Sequence, residues 1–539
     1  MAATPPPQPS SSLGHAAESV TIDNDELQLR KLGYQQTLHR SWHTIENFAA
    51  TFCALNFLGG VRSYLFIGLQ AGGPAAIWSN YLITIVFMLM AAAVLAEICS
   101  ALPLSGSIYI WAAESAGRKH ARLVGFIVAW WACTAWMTFA AGNCQNIANH
   151  LLSQLVVWEV DFPGGMQSDN IKWRALTWAV SEGLLLVAIA INYLPPRVYS
   201  LVFKFATFLM LLDFLLCVIW LPIGVSKTYG FRSTSEVFTK TYNGTGAPAG
   251  WNWILSFLFT AGTLIGFDAS GHIAEETKNA SYVAARGILL GAVATAVFGF
   301  ATTILFLFCI PDLDTLFSLY APQPFILVYS MALGRGPSVF MTILAVLGLI
   351  LNTSIAIVAA SRLIFAVARD GVLPGSGWIG QVSAARQPRN AVTVMFVFGA
   401  ILLCSILPSQ VAFYSLTSAG GVPTTAAYAL IAILRLTMTP NDFKHSKFAL
   451  GRWAKPFYVC TAAFCLLVVA VQVSPYYFPV TAESFNFAVV IWAAVTIFAI
   501  ISWWVIPEDK WLSRARTDKM LDSQTPDEAD DTSVKVAAH

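Results

Sequence analysis

From Asn390 to Leu434 the chain runs 45 residues without an Asp, Glu, Lys or Arg. An α-helix crossing a bilayer needs about 20 predominantly apolar residues, so this stretch alone holds two. Other uncharged runs are Ala71–Ala96, Gly287–Pro311, Gly336–Ser361 and Pro456–Ala482. Charged residues make up 11% of the chain, hydrophobic residues 57%, and the mean hydropathy is +0.64. A soluble domain carries about 25% charge, so that class is excluded. The reading is an all-α polytopic membrane protein with 12 transmembrane helices. They are expected near 46–70, 75–102, 123–152, 175–194, 200–224, 251–280, 284–310, 337–367, 390–407, 409–435, 456–474 and 485–506.

Residues 1–45 contain no apolar signal-peptide core, and both they and 507–539 are polar. They are expected to be disordered tails flanking a transmembrane domain over 46–506. Lys and Arg counts orient the chain. With the N-terminus inside, 24 of the 31 fall on the cytoplasmic side and six outside, with Arg62 within the first span. Both termini are therefore expected in the cytoplasm, which places Asn243-Gly244-Thr245 outside as a weak glycan acceptor. The nine cysteines fall in or at the edges of spans and read as small buried hydrophobes. No metal set appears, the net charge of +2 says nothing useful about partners, and no nucleic-acid partner is expected.

Two glycine-interrupted apolar segments occupy matching places in the two halves: Leu58-Gly59-Gly60-Val61 and Gly262 to Asp268. Such paired interruptions point to a transporter's substrate site, because unwound backbone at membrane depth must line a cavity or be buried in protein. The simpler alternative is that these glycines let helices pack closely. Ionisable residues within spans are functional candidates. Asp268 follows the second interruption, and His272, Glu275 and Glu276 share its helical face. Asp268 is expected to meet substrate or proton, and Glu275 and Glu276 to pair with basic residues as an inner gate. The glutamates could equally mark a helix end. Arg62 has two readings: a fork for a substrate carboxylate, or a lock on Asp268 or Asp213. Lys204 is expected to snorkel or to pair with Glu275 or Glu276. Glu97 reads as an anchor for loop residues. Trp136 lies too deep for an interface belt, so it walls the cavity or packs in the core.

Three segments resemble a known family. They are Gly266–Ser281 (GFDASGHIAEETKNAS), Ala96–Tyr109 (AEICSALPLSGSIY) and Ala360–Pro374 (ASRLIFAVARDGVLP). They are similar to eukaryotic GABA, choline and bidirectional amino-acid permeases, the amino acid/choline transporter branch of the amino acid–polyamine–organocation superfamily. The resemblance extends from about Asp25 to Pro507. It implies a LeuT-like core of five plus five inverted-repeat helices with two extra, and broken helices one and six. It also implies that amides of Gly59, Gly60 and Val61 hold a substrate carboxylate while carbonyls of Thr263, Leu264 and Ile265 hold an amine. Gly266 and Phe267 complete that site. Half-helix dipoles favour the same polarity.

The chain departs from the family pattern at three places. Around the first interruption it is apolar and then charged, where relatives carry small polar residues. Val283-Ala284-Ala285-Arg286 replaces a usual proline, and Ser107 a frequent glycine. Asn352, Thr353 and Ser354 lie near where sodium-coupled relatives place hydroxyls, without forming a persuasive sodium set. A proton gradient is thus the expected driver, with no cofactor. The expected function is secondary transport of an amino acid or small amine such as GABA by alternating access. The alternatives are a choline, polyamine or other organic-cation permease, or a non-transporting sensor on the same fold. An enzyme is not expected: three of the eight His precede residue 44 and one is C-terminal, and no nucleophile–His–acid cluster is visible. The expected partners are a small-molecule substrate and the lipid bilayer of the plasma membrane or a vacuolar or other internal membrane. Oligomeric state is open.

Overall fold

A computed structural model describes residues 24–508, apart from 419, 440–442, 444–445 and 482–483. The acidic run near the C-terminus and residues 1–23 of the expected N-terminal tail lie outside these. Among the described residues, 12 helices are long and apolar enough to cross a membrane. They are Thr44–Gln70, Gly73–Ala101, Gly117–Val157, Ile171–Ile191, Val198–Lys227, Ala249–His272, Ala280–Cys309, Arg335–Arg369, Arg389–Ile406, Gln410–Thr437, Gly451–Val473 and Ala488–Val505. The protein is an all-helical, multi-pass membrane protein. Spans one to four each pack on the span five later: first on sixth, second on seventh, third on eighth, fourth on ninth. That period of five is the five-plus-five repeat, with the eleventh and twelfth spans outside it. Most of the twelfth span's side chains face away from the protein, as a lipid-contacting helix requires.

The first and sixth spans are broken. The first is two helices, Thr44–Leu55 and Phe57–Gln70, joined at Asn56, whose backbone is left-handed (φ 42°). After glycine, Asn is the residue that tolerates this region, because its short side chain bonds locally. Its Oδ1 accepts the Gly59 amide at 3.2 Å and so caps the second half-helix. The break therefore lies three residues before the Gly59-Gly60 pair, and Gly59, Gly60 and Val61 are helical. The sixth span breaks where expected. Helix Phe257–Leu264 ends, Ile265 is extended, Gly266 takes φ 107°, and a short helix resumes at Ala269–His272. The freed carbonyl of Phe267 accepts the Thr51 hydroxyl at 3.2 Å, so the first span satisfies backbone released in the sixth.

The expectation of a disordered tail over 1–45 fails for residues 24–45. Leu29, Leu32, Tyr34, Leu38 and Trp42 are buried among otherwise polar neighbours. The amides of Ser41 and Trp42 donate to the Glu276 carbonyl at 3.1 Å, and Lys278 returns a bond to Trp42. Asp25 accepts the Asn279 amide at 2.6 Å, at the N-terminus of the seventh span where a carboxylate suits the helix dipole. Sparse apolar residues in a polar run give no periodic signal, yet each finds a groove. Glu97 is the anchor expected: its carboxylate accepts from the Leu450 amide and from Tyr458 Oη, pinning the approach to the eleventh span.

Gly266 is held at a φ that side chains disfavour, although the space around it is open. A non-glycine residue held at such a φ costs about 1–3 kcal/mol, so Gly266→Ala should lower the thermal midpoint of the purified protein. Gly183→Ala, on an exposed helical face with nothing near the added carbon, should leave the midpoint unchanged or raise it.

Candidate functional site

The two breaks face a cavity of about 600 Å³. Its walls run from Leu55, Asn56 and Gly60 along the second half-helix to Ile67, and along the third span from Thr138 to Asn149. Gly262 and Ile265 close one side, and Tyr414 and Thr417 of the tenth span another. These stretches lie between mid-membrane and the face away from the chain's described ends, so the cavity opens to that face. Among the described residues its lining contains no Asp, Glu, Lys or Arg. It is instead rich in amides. Asn146 Nδ2 donates to Ser63 Oγ at 2.9 Å, and Gln145 Nε2 to Tyr414 Oη at 3.0 Å and to Asn149 Oδ1 at 3.2 Å. Tyr64, Phe66, Phe139 and Tyr414 add aromatic surface.

Several expected site residues fall elsewhere than the sequence suggested. Gly59 and Gly60 do line the cavity, but their amides are taken by the Asn56 side chain and the Asn56 carbonyl. Gly59 and Gly60 are therefore not free to hold a substrate carboxylate through their amides, and Val61 lies inside the helix. Val61 is buried in the helix packing. At Gly60 the packing explanation holds: an added Cβ would sit 3.1 Å from Thr263 of the sixth span. Ile265 lines the cavity, while Thr263 and Leu264 are buried beside it.

Arg62 does not face the cavity. It is buried, with Nη2 donating to Asp213 Oδ2 at 2.9 Å and Oδ1 at 3.1 Å, and its guanidinium lies 5.4 Å from the Tyr329 ring centre. Of its two readings the internal lock is the one observed, and the partner is Asp213 rather than Asp268. The pair sits in a small chamber behind the cavity wall, which Asn352 and Leu349 separate from the main space.

Asp268 is fully buried below the second break. Tyr428 Oη donates to its Oδ1, and His272 Nε2 lies 3.0 Å from its Oδ2. His272 Nδ1 is 2.6 Å from Ser107 Oγ, and the Trp136 ring meets its edge. Phe267 stacks on Tyr428. Trp136 is thus packed on the floor beneath the cavity and does not line it. Nearer the described ends, Glu275 receives two bonds from Arg369, at 2.9 and 3.0 Å, and one from the Ser105 amide. Glu276 accepts from Arg362 Nε at 2.6 Å. Lys204 reaches neither glutamate. It is half exposed and lies 3.7 Å from Glu46. The fifth span carries it to the first span's start, out of range of the sixth.

The residues missed were the uncharged amides. Asn143, Gln145, Asn146 and Asn149 follow one another on the third span, and a search for charges within spans passes over them.

Residues 45–495 match the model of a family described as amino acid permease. The chain belongs to the amino acid permease family. The permease is 47% identical over 516 residues to the thiamine transporter thi9 of Schizosaccharomyces pombe, covering 91% of this chain and 87% of that one. It is 27% identical to the amino-acid permease BAT1 of Arabidopsis thaliana, covering 91% and 96%. Among solved structures, an Eremococcus coleocola manganese transporter in complex with an aromatic bis-isothiourea substituted compound superimposes with a TM-score of 0.55 at 11% identity, covering 88% and 95%. That likeness speaks to the fold alone. Family and relatives are transporters, so the chain is a membrane permease of amino acids or related organic compounds and not an enzyme.

Breaking the Arg62–Asp213 pair should be costly and replacing it cheap. Removing one partner of a buried ion pair costs about 3–5 kcal/mol, whereas an apolar replacement of both is often neutral. Arg62→Ser and Asp213→Leu should each lower the thermal midpoint sharply, and Arg62→Met with Asp213→Leu should recover most of the loss. A double variant no more stable than the singles would refute this account of the pair.

Proposed function

We propose that this permease carries thiamine, or an organic cation closely like it, through the central cavity by alternating access. The observation that carries the reading is the 47% identity to a thiamine transporter over nine-tenths of the chain. The chemistry of the cavity supports it. A cationic ring entering the cavity meets no lining cation, and Arg62, the nearest candidate, is already neutralised by Asp213. The repulsion of cations that an unpaired Arg62 would impose is therefore missing. Tyr64, Phe139 and Tyr414 offer faces for cation–π contact, and the C-terminal end of helix Phe257–Leu264 carries a partial negative charge. Amino acids such as GABA are the second reading, favoured by the family match.

In this reading the Glu275–Arg369 and Glu276–Arg362 pairs form the inner gate. They close the cavity towards the described ends while it stays open to the opposite face. The strap of residues 24–42 lies over them. The proton enters through Asp268, with His272 and Tyr428 as its neighbours. Both termini face the cytoplasm, and the plasma membrane or a vacuolar or other internal membrane holds the protein.

Purified permease in liposomes should accumulate radiolabelled thiamine when an inward proton gradient is imposed. Unlabelled thiamine should compete better than GABA, choline or spermidine. Saturable GABA uptake with no thiamine uptake would overturn the reading in favour of the second. Asp268→Asn should abolish uptake or remove its dependence on pH; an unchanged pH profile would place the coupling proton on another group.

A further inference from the structure

Asn352 lines both the main cavity and the small chamber behind it, at the level of the first break. It is 3% exposed, yet its Oδ1 has no hydrogen-bond partner. Its side chain enters no hydrogen bond among the described residues. The neighbouring cavity amides are differently placed: Gln145 and Asn149 bond to each other, and Asn146 to Ser63. Among the described cavity-lining residues, Asn352 is the one with a buried, unmatched polar side-chain atom. Leaving a buried amide unpaired is unfavourable, and such groups in native proteins call for a specific partner.

The surroundings limit what that partner is. Leu349 lies one turn before Asn352, and Gly59 and Asn56 border the same wall; on the cavity side no described lining residue is charged, and on the chamber side Arg62 and Asp213 are bound to each other. Asn56 has committed its Oδ1 to the Gly59 amide. A primary amide presents an acceptor and a donor side by side in one plane. Its natural complement is a heteroaromatic edge bearing an amino group next to a ring nitrogen, the pairing by which Asn engages adenine. An aliphatic amino acid offers no such edge, whereas the aminopyrimidine ring of thiamine does.

We propose that Asn352 is a specificity-determining residue of the cavity that pairs through its side-chain amide with the aminopyrimidine edge of the substrate. The proposal rests on the thiamine reading above. It places the aminopyrimidine against the eighth span and leaves the cationic thiazolium for the aromatic walls.

The test is binding of radiolabelled thiamine to purified wild-type protein and Asn352→Leu. Competition by the two halves of the molecule, the aminopyrimidine alcohol and the thiazole alcohol, is measured alongside. Asn352→Leu should weaken thiamine by at least about tenfold, weaken the aminopyrimidine half to a similar extent, and leave the thiazole half unchanged. Thiamine bound by Asn352→Leu with wild-type affinity, or both halves weakened alike, would overturn the assignment while leaving the thiamine reading standing. Wild-type protein that fails to bind thiamine would overturn the thiamine reading and the assignment with it. If Asn352→Leu does not fold, wild-type protein supplies the test. A thiamine analogue with hydrogen in place of the exocyclic amino group should bind at least about tenfold more weakly, and equal affinity would overturn the assignment.

Discussion

The permease depends on how it satisfies backbone that it has released from helices inside an apolar medium. An unpaired amide or carbonyl in hydrocarbon costs several kcal/mol, so a broken spanning helix persists only if something else meets its polar groups. Here each break is met by a different device. At the first, Asn56 turns the chain through a left-handed conformation and caps the helix it starts. At the second, Gly266 makes the turn and Thr51, from the first span, bonds the Phe267 carbonyl. The breaks support each other across the Gly60–Thr263 contact, which a larger residue at 60 would push apart.

The charges sort by depth around these breaks. Arg62 and Asp213 neutralise one another behind the wall, so the lining of the cavity stays uncharged. Asp268 and His272 lie beneath the second break, sealed by Tyr428 and Trp136. Glu275 and Glu276 take Arg369 and Arg362 nearer the described ends, where the ordered strap ties to the Glu276 carbonyl. Buried pairs of this kind contribute little net stability against apolar substitutes. In the proposed inner gate such pairs open by exchanging partners for water, as a fused apolar core does not.

Much of the fold was legible in the sequence because uncharged runs of membrane length leave few alternatives to helices, and because a glycine at positive φ marks the second break at its own position. The first break was misplaced by three residues. Glycine is the usual signal for such a break, but Asn56 makes the turn; Gly60 packs against Thr263, and Gly59 against the Asn56 side chain and Leu349. Arg62 could not be assigned a partner from sequence, since the choice between Asp213 and Asp268 depends on how the fifth span packs. Residues 29–42 looked like tail because their apolar side chains follow no period; each is ordered by a groove made from distant segments. The amides of the third span carry no charge, the property that marks candidate residues within spans, and hydrogen-bonding capacity leaves no comparable signal in the sequence.

The most direct test of the central claim, that the uncharged cavity between the two breaks holds the substrate, is protection of a cavity residue from chemical labelling. Ser63→Cys would be introduced with Cys404 and Cys460, the two native cysteines that are not buried, changed to serine. A membrane-impermeant thiol reagent applied from the side opposite the termini should label residue 63, and saturating thiamine should block that labelling. Labelling at the same rate with and without thiamine, in protein that still transports it, would contradict the account.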